Sequence, residues 1–125
     1  ERRKALAKRY SALLSEYEDT LPVQAEGADS AWHLYIIRSG VRDALLRHLN
    51  EGVIGAGVHY PVPLHLQIAY AECGFARGDF PVTERLCGEI LSLPMFPGLT
   101  EEQQSRIADS IRLFAGQRAA IAAGS

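Results

Sequence analysis

Gly55-Ala56-Gly57-Val58-His59-Tyr60-Pro61-Val62-Pro63-Leu64-His65 is a stiff ribbon between two helical patterns. Its two glycines open backbone conformations closed to other residues, or allow another chain to come close. Its two prolines fix φ and hold Tyr60 and Val62 extended. Two imidazoles and a phenol are thereby displayed on a loop rather than on a helix, where packing would absorb them. Loops carried by a rigid scaffold are where binding groups concentrate.

Reading outward, Trp32 to Arg38 is a compact β-branched and aromatic run that predicts a strand buried on both faces. Ser39 can cap the helix that follows, whose apolar stripe is Val41, Leu45, Leu46 and Leu49. Gly52 stands where a left-handed residue would close that helix. Val53-Ile54 reads as the start of a short strand, with Val58 to Tyr60 extended. Beyond the ribbon, Leu66, Ala69, Tyr70 and Cys73 mark one face of a short helix ended by Gly74.

Gly78-Asp79-Phe80-Pro81 opens another helix, with Pro81 in the first turn and Val82, Leu86 and Ile90 facing inward. Ser92 to Met95 is a short extended piece broken by Pro97-Gly98. Thr100 and Gln103 form a capping box for the last helix, whose core face is Ile107, Ile111 and Phe114. At the start of the chain, Leu6, Tyr10, Leu13, Leu14 and Tyr17 repeat at helical spacing and fade near Asp19-Thr20. Leu21 to Ser30 is a connector. Helices separating a few short strands predict an α+β fold, a small two-layer sandwich with helices on a short, mainly antiparallel sheet.

The 125 residues suit one domain, with 47% hydrophobic and 22% charged residues as in ordinary globular proteins. A net charge of −2 gives no argument for nucleic acid or an anionic membrane. Five basic residues crowd into the first nine, but Glu16, Glu18 and Asp19 follow on the same helix, which reads as a solvated face. No apolar run is long enough to cross a bilayer. Cys73 and Cys87 make neither a metal spacing nor a dense framework, which points to a reducing cytoplasm.

The pieces Trp32-His33-Leu34-Tyr35-Ile36-Ile37, Gly55 to Gln67, Gly78-Asp79-Phe80-Pro81-Val82-Thr83-Glu84 and Ile90-Leu91-Ser92-Leu93-Pro94-Met95-Phe96-Pro97 follow one another in order. Together they resemble the C-terminal small domain of the DegT/DnrJ/StrS-type pyridoxal-phosphate-dependent sugar aminotransferases, which have the fold-type-I architecture. The resemblance divides the chain into an inter-domain helix over 1–19, a small domain over 31–115 and a frayed tail over 116–125. It implies transfer of an amino group, usually from glutamate, to a nucleotide-linked keto-sugar. The proline-rich form of the ribbon leans towards deoxythymidine-diphosphate sugars, with a cyclitol as a further possibility.

By position in that pattern His65 is the first choice for a substrate contact, to the sugar or its pyrophosphate, and an imidazole can donate to either near neutral pH. His59 and Tyr60 follow as shapers of the cleft. Ala56 stands where the family more often has threonine, so no hydroxyl is offered there. The family's cofactor lysine, its acidic partner for the pyridine nitrogen and its phosphate donors all belong to a large domain. This chain has only Lys4 and Lys8, on the polar side of a helix. The chain is therefore expected to be a piece of an enzyme, without catalytic or cofactor residues and inactive alone. It lacks the large domain, and the parent is expected to be a homodimer. The alternative is a stand-alone module of the same fold, used for binding or dimerisation.

Plainer readings stand beside these. His59 reads first as a packed, hydrogen-bonded loop residue. His33 is expected at a strand edge and His48 on a helix surface. No Cys or carboxylate near His59 and His65 has ligand spacing, so no metal is assigned. Both cysteines fall on or beside apolar helix faces, where buried, inert thiols are expected. The glycine pair lacks the strand-to-helix context of a dinucleotide fingerprint.

Overall fold

The computed structural model describes residues 1–123. Helices α1 (Arg2–Leu13), α2 (Arg42–Glu51), α3 (Pro81–Glu89) and α4 (Glu101–Ala123) accompany strands β1 (Tyr35–Arg38) and β2 (Ile90–Leu93). The strands pair antiparallel in the register Tyr35 with Leu93 and Ile37 with Leu91. The fold is thus α+β, as expected.

Alternation along the strands decides which side is buried. Tyr35, Ile37, Leu91 and Leu93 are buried in one cluster with Leu6, Tyr10 and Leu14 of the first helical segment, Leu45 and Leu49 of α2, and Ile107 and Ile111 of α4. Ile36, on the other face, is only half-buried and Arg38 is exposed. The expectation of a strand buried on both faces is therefore corrected: helices cover one face. The predicted strand start at Trp32 also fails, because Trp32 has a positive φ of 49°.

α1 is anchored at its centre. The Tyr10 hydroxyl donates to the carbonyl of Pro94 at 2.9 Å, and its ring centroid lies 4.9 Å from that of Tyr35. The Tyr35 hydroxyl pairs with Ser11 Oγ at 2.9 Å. Across the same interface Gln104 of α4 is fully buried, and its Nε2 donates to the Leu6 carbonyl at 2.9 Å. Burial raises the pKa of both Tyr10 and Tyr35 above the ordinary phenol value. For an acid whose folded pKa is raised, stability is complete below the unfolded pKa and is lost as pH climbs above it. Above pH ~10 the Tyr10 ring is expected to cost up to about 1.4 kcal/mol per pH unit, with Tyr35 acting in the same direction. Tyr10→Phe should remove the Tyr10 part of that slope in guanidinium melts between pH ~9 and ~11. An unchanged slope would show that Tyr10 ionises freely in the folded chain.

Helix ends hold further agreements and corrections. The capping box forms: Gln103 N–H donates to Thr100 Oγ1 at 3.1 Å and Thr100 N–H to Gln103 Oε1 at 2.9 Å. Pro81 takes the first turn of α3. Ser39 Oγ accepts from Val41 N–H, just ahead of α2, and does not cap the helix itself. Gly52 is not left-handed (φ −75°); the positive φ falls on its neighbour Val53, at 59°. Val53-Ile54 is accordingly a turn and not a strand.

The expected helix over Leu66 to Cys73 is instead two 3-10 pieces, Leu64–Leu66 and Ile68–Cys73, with no buried residue in either. Gly74 does end it in the left-handed region, at φ 73°. On α3 Val82 is exposed, Leu86 is half-buried, and Ile90 has already passed into β2. The extended piece expected from Ser92 starts earlier, at Ile90. Helix α4 continues through the segment expected to fray as far as Ala123; the rest of that segment lies outside the described residues.

Candidate functional site

Ser92 of β2 fixes the start of the ribbon. On the edge of β2 away from β1, Gly57 and Ser92 exchange both backbone hydrogen bonds, at 2.7 and 3.1 Å. Gly57 thereby acts as a one-residue third strand. The Ser92 side chain, itself buried, then meets His59 Nδ1 at 3.0 Å. His59 is hydrogen-bonded to the scaffold, as its plainer reading expects, but it is exposed and not packed away. Tyr60 next to it turns outward, 71% exposed, with its ring edge-on to His59.

After Pro61 and Pro63 the chain reaches a second anchor. His65 is not displayed on an open ribbon: its side chain is only 7% exposed. Its Nε2 lies 3.1 Å from Glu84 Oε1 on the first turn of α3, and its ring centroid is 4.7 Å from that of Phe80. Phe80 in turn meets Phe75 edge-on at 5.2 Å. These groups wall a cleft of about 400 Å³ with Leu64, Tyr70, Cys73 and Thr83.

Glu84 holds this corner together. Its Oε1 also accepts the Gly78 N–H at 2.7 Å, and Arg77 Nη1 stands 4.0 Å from Oε2. The Gly78 hydrogen bond is the main reason its carboxyl lies below the usual range; the His65 contact acts the same way against desolvation. A depressed carboxylate pKa stabilises the fold above the ordinary carboxylate range, and that support is lost as pH falls through the lowered value.

The structure therefore ties His59 to β2 and His65 to α3, on either side of the proline pair. Two residues of the site were not singled out as site residues, Ser92 and Glu84. Glu84 was legible in part, since it closes the Gly78 to Glu84 segment and an acid belongs in a first helical turn. Ser92 left no local signal, because its partner is 35 residues away in sequence, by the difference between positions 57 and 92.

Other candidates find different surroundings. His48 is half-buried on its helix: it contacts the Ser110 carbonyl at 3.0 Å and packs on Phe114. His33 precedes β1 and is exposed, with Nδ1 accepting from Arg3 at 3.2 Å. Cys73 is exposed and Cys87 half-buried, so neither is the buried thiol expected. Among the described residues no group of three or more His, Cys, Asp or Glu could hold a metal ion, and no helix is long and apolar enough to cross a membrane.

The lysines are poorly placed for an aldehyde cofactor. Lys4 Nζ is 2.6 Å from Asp29 Oδ2, and that hydrogen bond raises its pKa, keeping it a cation. Lys8 is exposed. A nucleophilic lysine needs a desolvated or electropositive setting that favours the neutral amine. Neither residue has one, so the residues present do not fit pyridoxal phosphate.

The model of the DegT/DnrJ/EryC1/StrS aminotransferase family matches residues 1–112. Among curated relatives, the erythromycin biosynthesis sensory transduction protein EryC1 of Saccharopolyspora erythraea is 43% identical over 112 residues, covering 89% of this chain and 31% of its own. The dTDP-3-amino-3,4,6-trideoxy-alpha-D-glucose transaminase of Micromonospora megalomicea subsp. nigra is 38% identical over 115 residues, covering 88% and 31%. Among solved structures, DesV of S. venezuelae superposes with a TM-score of 0.85 at 40% identity, over 91% of this chain and 31% of that one. The sugar aminotransferase Spr1654 of Streptococcus pneumoniae in its PLP-form, described as putative, gives 0.81 at 26% identity, over 93% and 31%. The chain thus spans 31% of the length of each of these four proteins.

Proposed function

The chain belongs to the DegT/DnrJ/EryC1/StrS aminotransferase family, and from that premise we propose that it is the substrate-facing small domain of a pyridoxal-phosphate-dependent sugar aminotransferase. That enzyme moves an amino group from glutamate to a dTDP-linked keto-sugar. The observation that carries this reading is the 38% identity, over 88% of the chain, to a protein named as a dTDP-amino-sugar transaminase.

The local geometry supports the division of labour. His65 contributes a hydrogen bond to the substrate from the wall of the Phe75–Phe80 cleft. Tyr60, exposed beside the anchored His59, shapes the neighbouring surface with Val62 and Ile68. The cofactor and the lysine that holds it come from outside these 125 residues. Tyr60, Val62, Leu64, Ile68, Tyr70, Phe75, Phe80 and Val82 are all exposed within one stretch of chain. Apolar surface gathered in this way marks an interface more often than scattered single residues do. We assign it to contact with the large domain or the second subunit of a homodimer. The free thiols of Cys73 and Cys87 suit a reducing compartment such as the cytoplasm.

A full-length enzyme containing these residues is expected to convert a dTDP-keto-sugar and glutamate to the amino sugar and one equivalent of 2-oxoglutarate. The 125 residues alone should form no product. Borohydride treatment after incubation with pyridoxal phosphate should add no mass to Lys4 or Lys8 beyond that seen on exposed lysines of an unrelated protein. A specific adduct at either lysine would overturn the assignment of the cofactor to the rest of the enzyme. A full-length enzyme that aminates no nucleotide sugar would leave the chain as a binding or dimerisation module.

A further inference from the structure

We propose that Glu84 is a positioning residue: it sets the proton of His65 on Nε2 and leaves Nδ1 as the one ring atom offered to a sugar hydroxyl. This rests on the reading of His65 as a substrate contact and specifies which atom makes it.

The argument starts from the carboxylate. Glu84 is 12% exposed at its side chain, and Oε1 faces two groups at once, Gly78 N–H at 2.7 Å and His65 Nε2 at 3.1 Å. An ionised carboxylate only accepts hydrogen bonds. The Gly78 N–H helps to keep Glu84 ionised. The proton in the second contact therefore sits on Nε2. A neutral imidazole carries one proton, so Nδ1 is left as an acceptor.

The position of Nδ1 follows by elimination. Among the described residues it makes no hydrogen bond, and Gln104 Oε1 is the one buried side-chain polar atom without a partner. Nδ1 consequently keeps some contact with the surface, within a side chain that is 7% exposed in all. His65 lines the apolar cleft, and contact with Phe80 restricts how the ring can turn. A bare nitrogen there accepts a hydrogen bond from a hydroxyl. It repels a phosphate oxygen, which has no proton to give. In its neutral form the ring therefore favours a sugar hydroxyl over the pyrophosphate.

Glu84 also braces the turn at Gly78, so the test must read more than stability. Long-range proton–nitrogen correlation spectra report the tautomer of each histidine directly, and His65→Ala identifies the signals. In the unliganded chain at pH ~9, above the ordinary imidazole range, His65 is expected to be predominantly the Nε2–H form. Glu84→Gln retains an acceptor oxygen and should retain that tautomer. Glu84→Leu should shift the ratio roughly tenfold towards Nδ1–H, the effect of losing one charge-assisted hydrogen bond.

Should Glu84→Leu fail to fold, Glu84→Asp, which draws the oxygen back by one methylene, carries the same expectation. A dominant Nδ1–H form in the unaltered chain, or a ratio untouched by Leu or Asp, overturns the proposal. No substrate or catalysis enters this measurement. Its failure is therefore distinct from a failure of His65 to contact the sugar, which enzyme kinetics report.

Discussion

Truncating Tyr10 to alanine is expected to cost about 3–5 kcal/mol, the range for deleting a buried aromatic side chain. Tyr10 is 0% exposed and sits where α1, the sheet and α4 converge. Removing it abolishes the contact with Tyr35, strips the Pro94 carbonyl of its donor, and leaves a void that no neighbouring large side chain can fill without moving. Domains of this size are stable by only about 5–15 kcal/mol, so the variant should be substantially unfolded on mild warming. Tyr10→Phe keeps the ring and should lose only about 1 kcal/mol for the hydrogen bond. Guanidinium titrations followed by helical circular dichroism compare the three chains. An alanine variant within ~1 kcal/mol of the parent would show that α1 frays separately from the sheet, as a loosely attached connector would. The contrast between Ala and Phe matters because both lose the hydroxyl and only one loses the packing.

Where the sequence was readable, the cause is local. The Thr100–Gln103 box and the proline of α3 specify their own backbone partners within one turn, so the pattern carries its own geometry. The tyrosine and leucine spacing of α1 was equally legible, because Leu6, Tyr10 and Leu14 return to one face every turn. Errors arose where a distant segment decides. Ile36 looked as apolar as Ile37, yet the helices pack on only one side of the sheet. Leu66, Ala69, Tyr70 and Cys73 had helical spacing, but none of them is buried by the described residues, and the segment settles into 3-10 turns. The left-handed residue expected at Gly52 fell one position later, on Val53, as the chain turns into Ile54, whose N–H reaches the Leu49 carbonyl at 2.9 Å. The ribbon displays Tyr60, which is exposed, while its two imidazoles are anchored in a way the sequence did not reveal. Ser92 and Glu84 come from the far side of the sequence, and they decide that His59 is fastened and His65 mostly enclosed.

That enclosure shapes the second large effect. In the full-length enzyme, His65→Ala is expected to lower kcat/KM for the nucleotide sugar by about 10- to 100-fold, the loss of one hydrogen bond at a largely desolvated group. The fall should lie mainly in KM if the bond forms equally in ground and transition states. Kinetics for the amino donor should be little changed, since the contact is to the sugar. Alanine, however, also deprives Glu84 of a partner, and a loosened corner at Gly78 and Phe80 could lower activity without any ligand contact. Two amides separate these causes. Glutamine places its amide near the former Nε2 and can still donate to Glu84, while offering nothing where Nδ1 stood. Asparagine, one methylene shorter, places a polar atom near the Nδ1 position and cannot reach Glu84. If His65 meets the sugar through Nδ1, His65→Gln remains as impaired as alanine although the corner is rebuilt, and His65→Asn recovers part of the affinity. Full recovery by glutamine, with asparagine as poor as alanine, would make His65 a brace for α3 that touches no substrate.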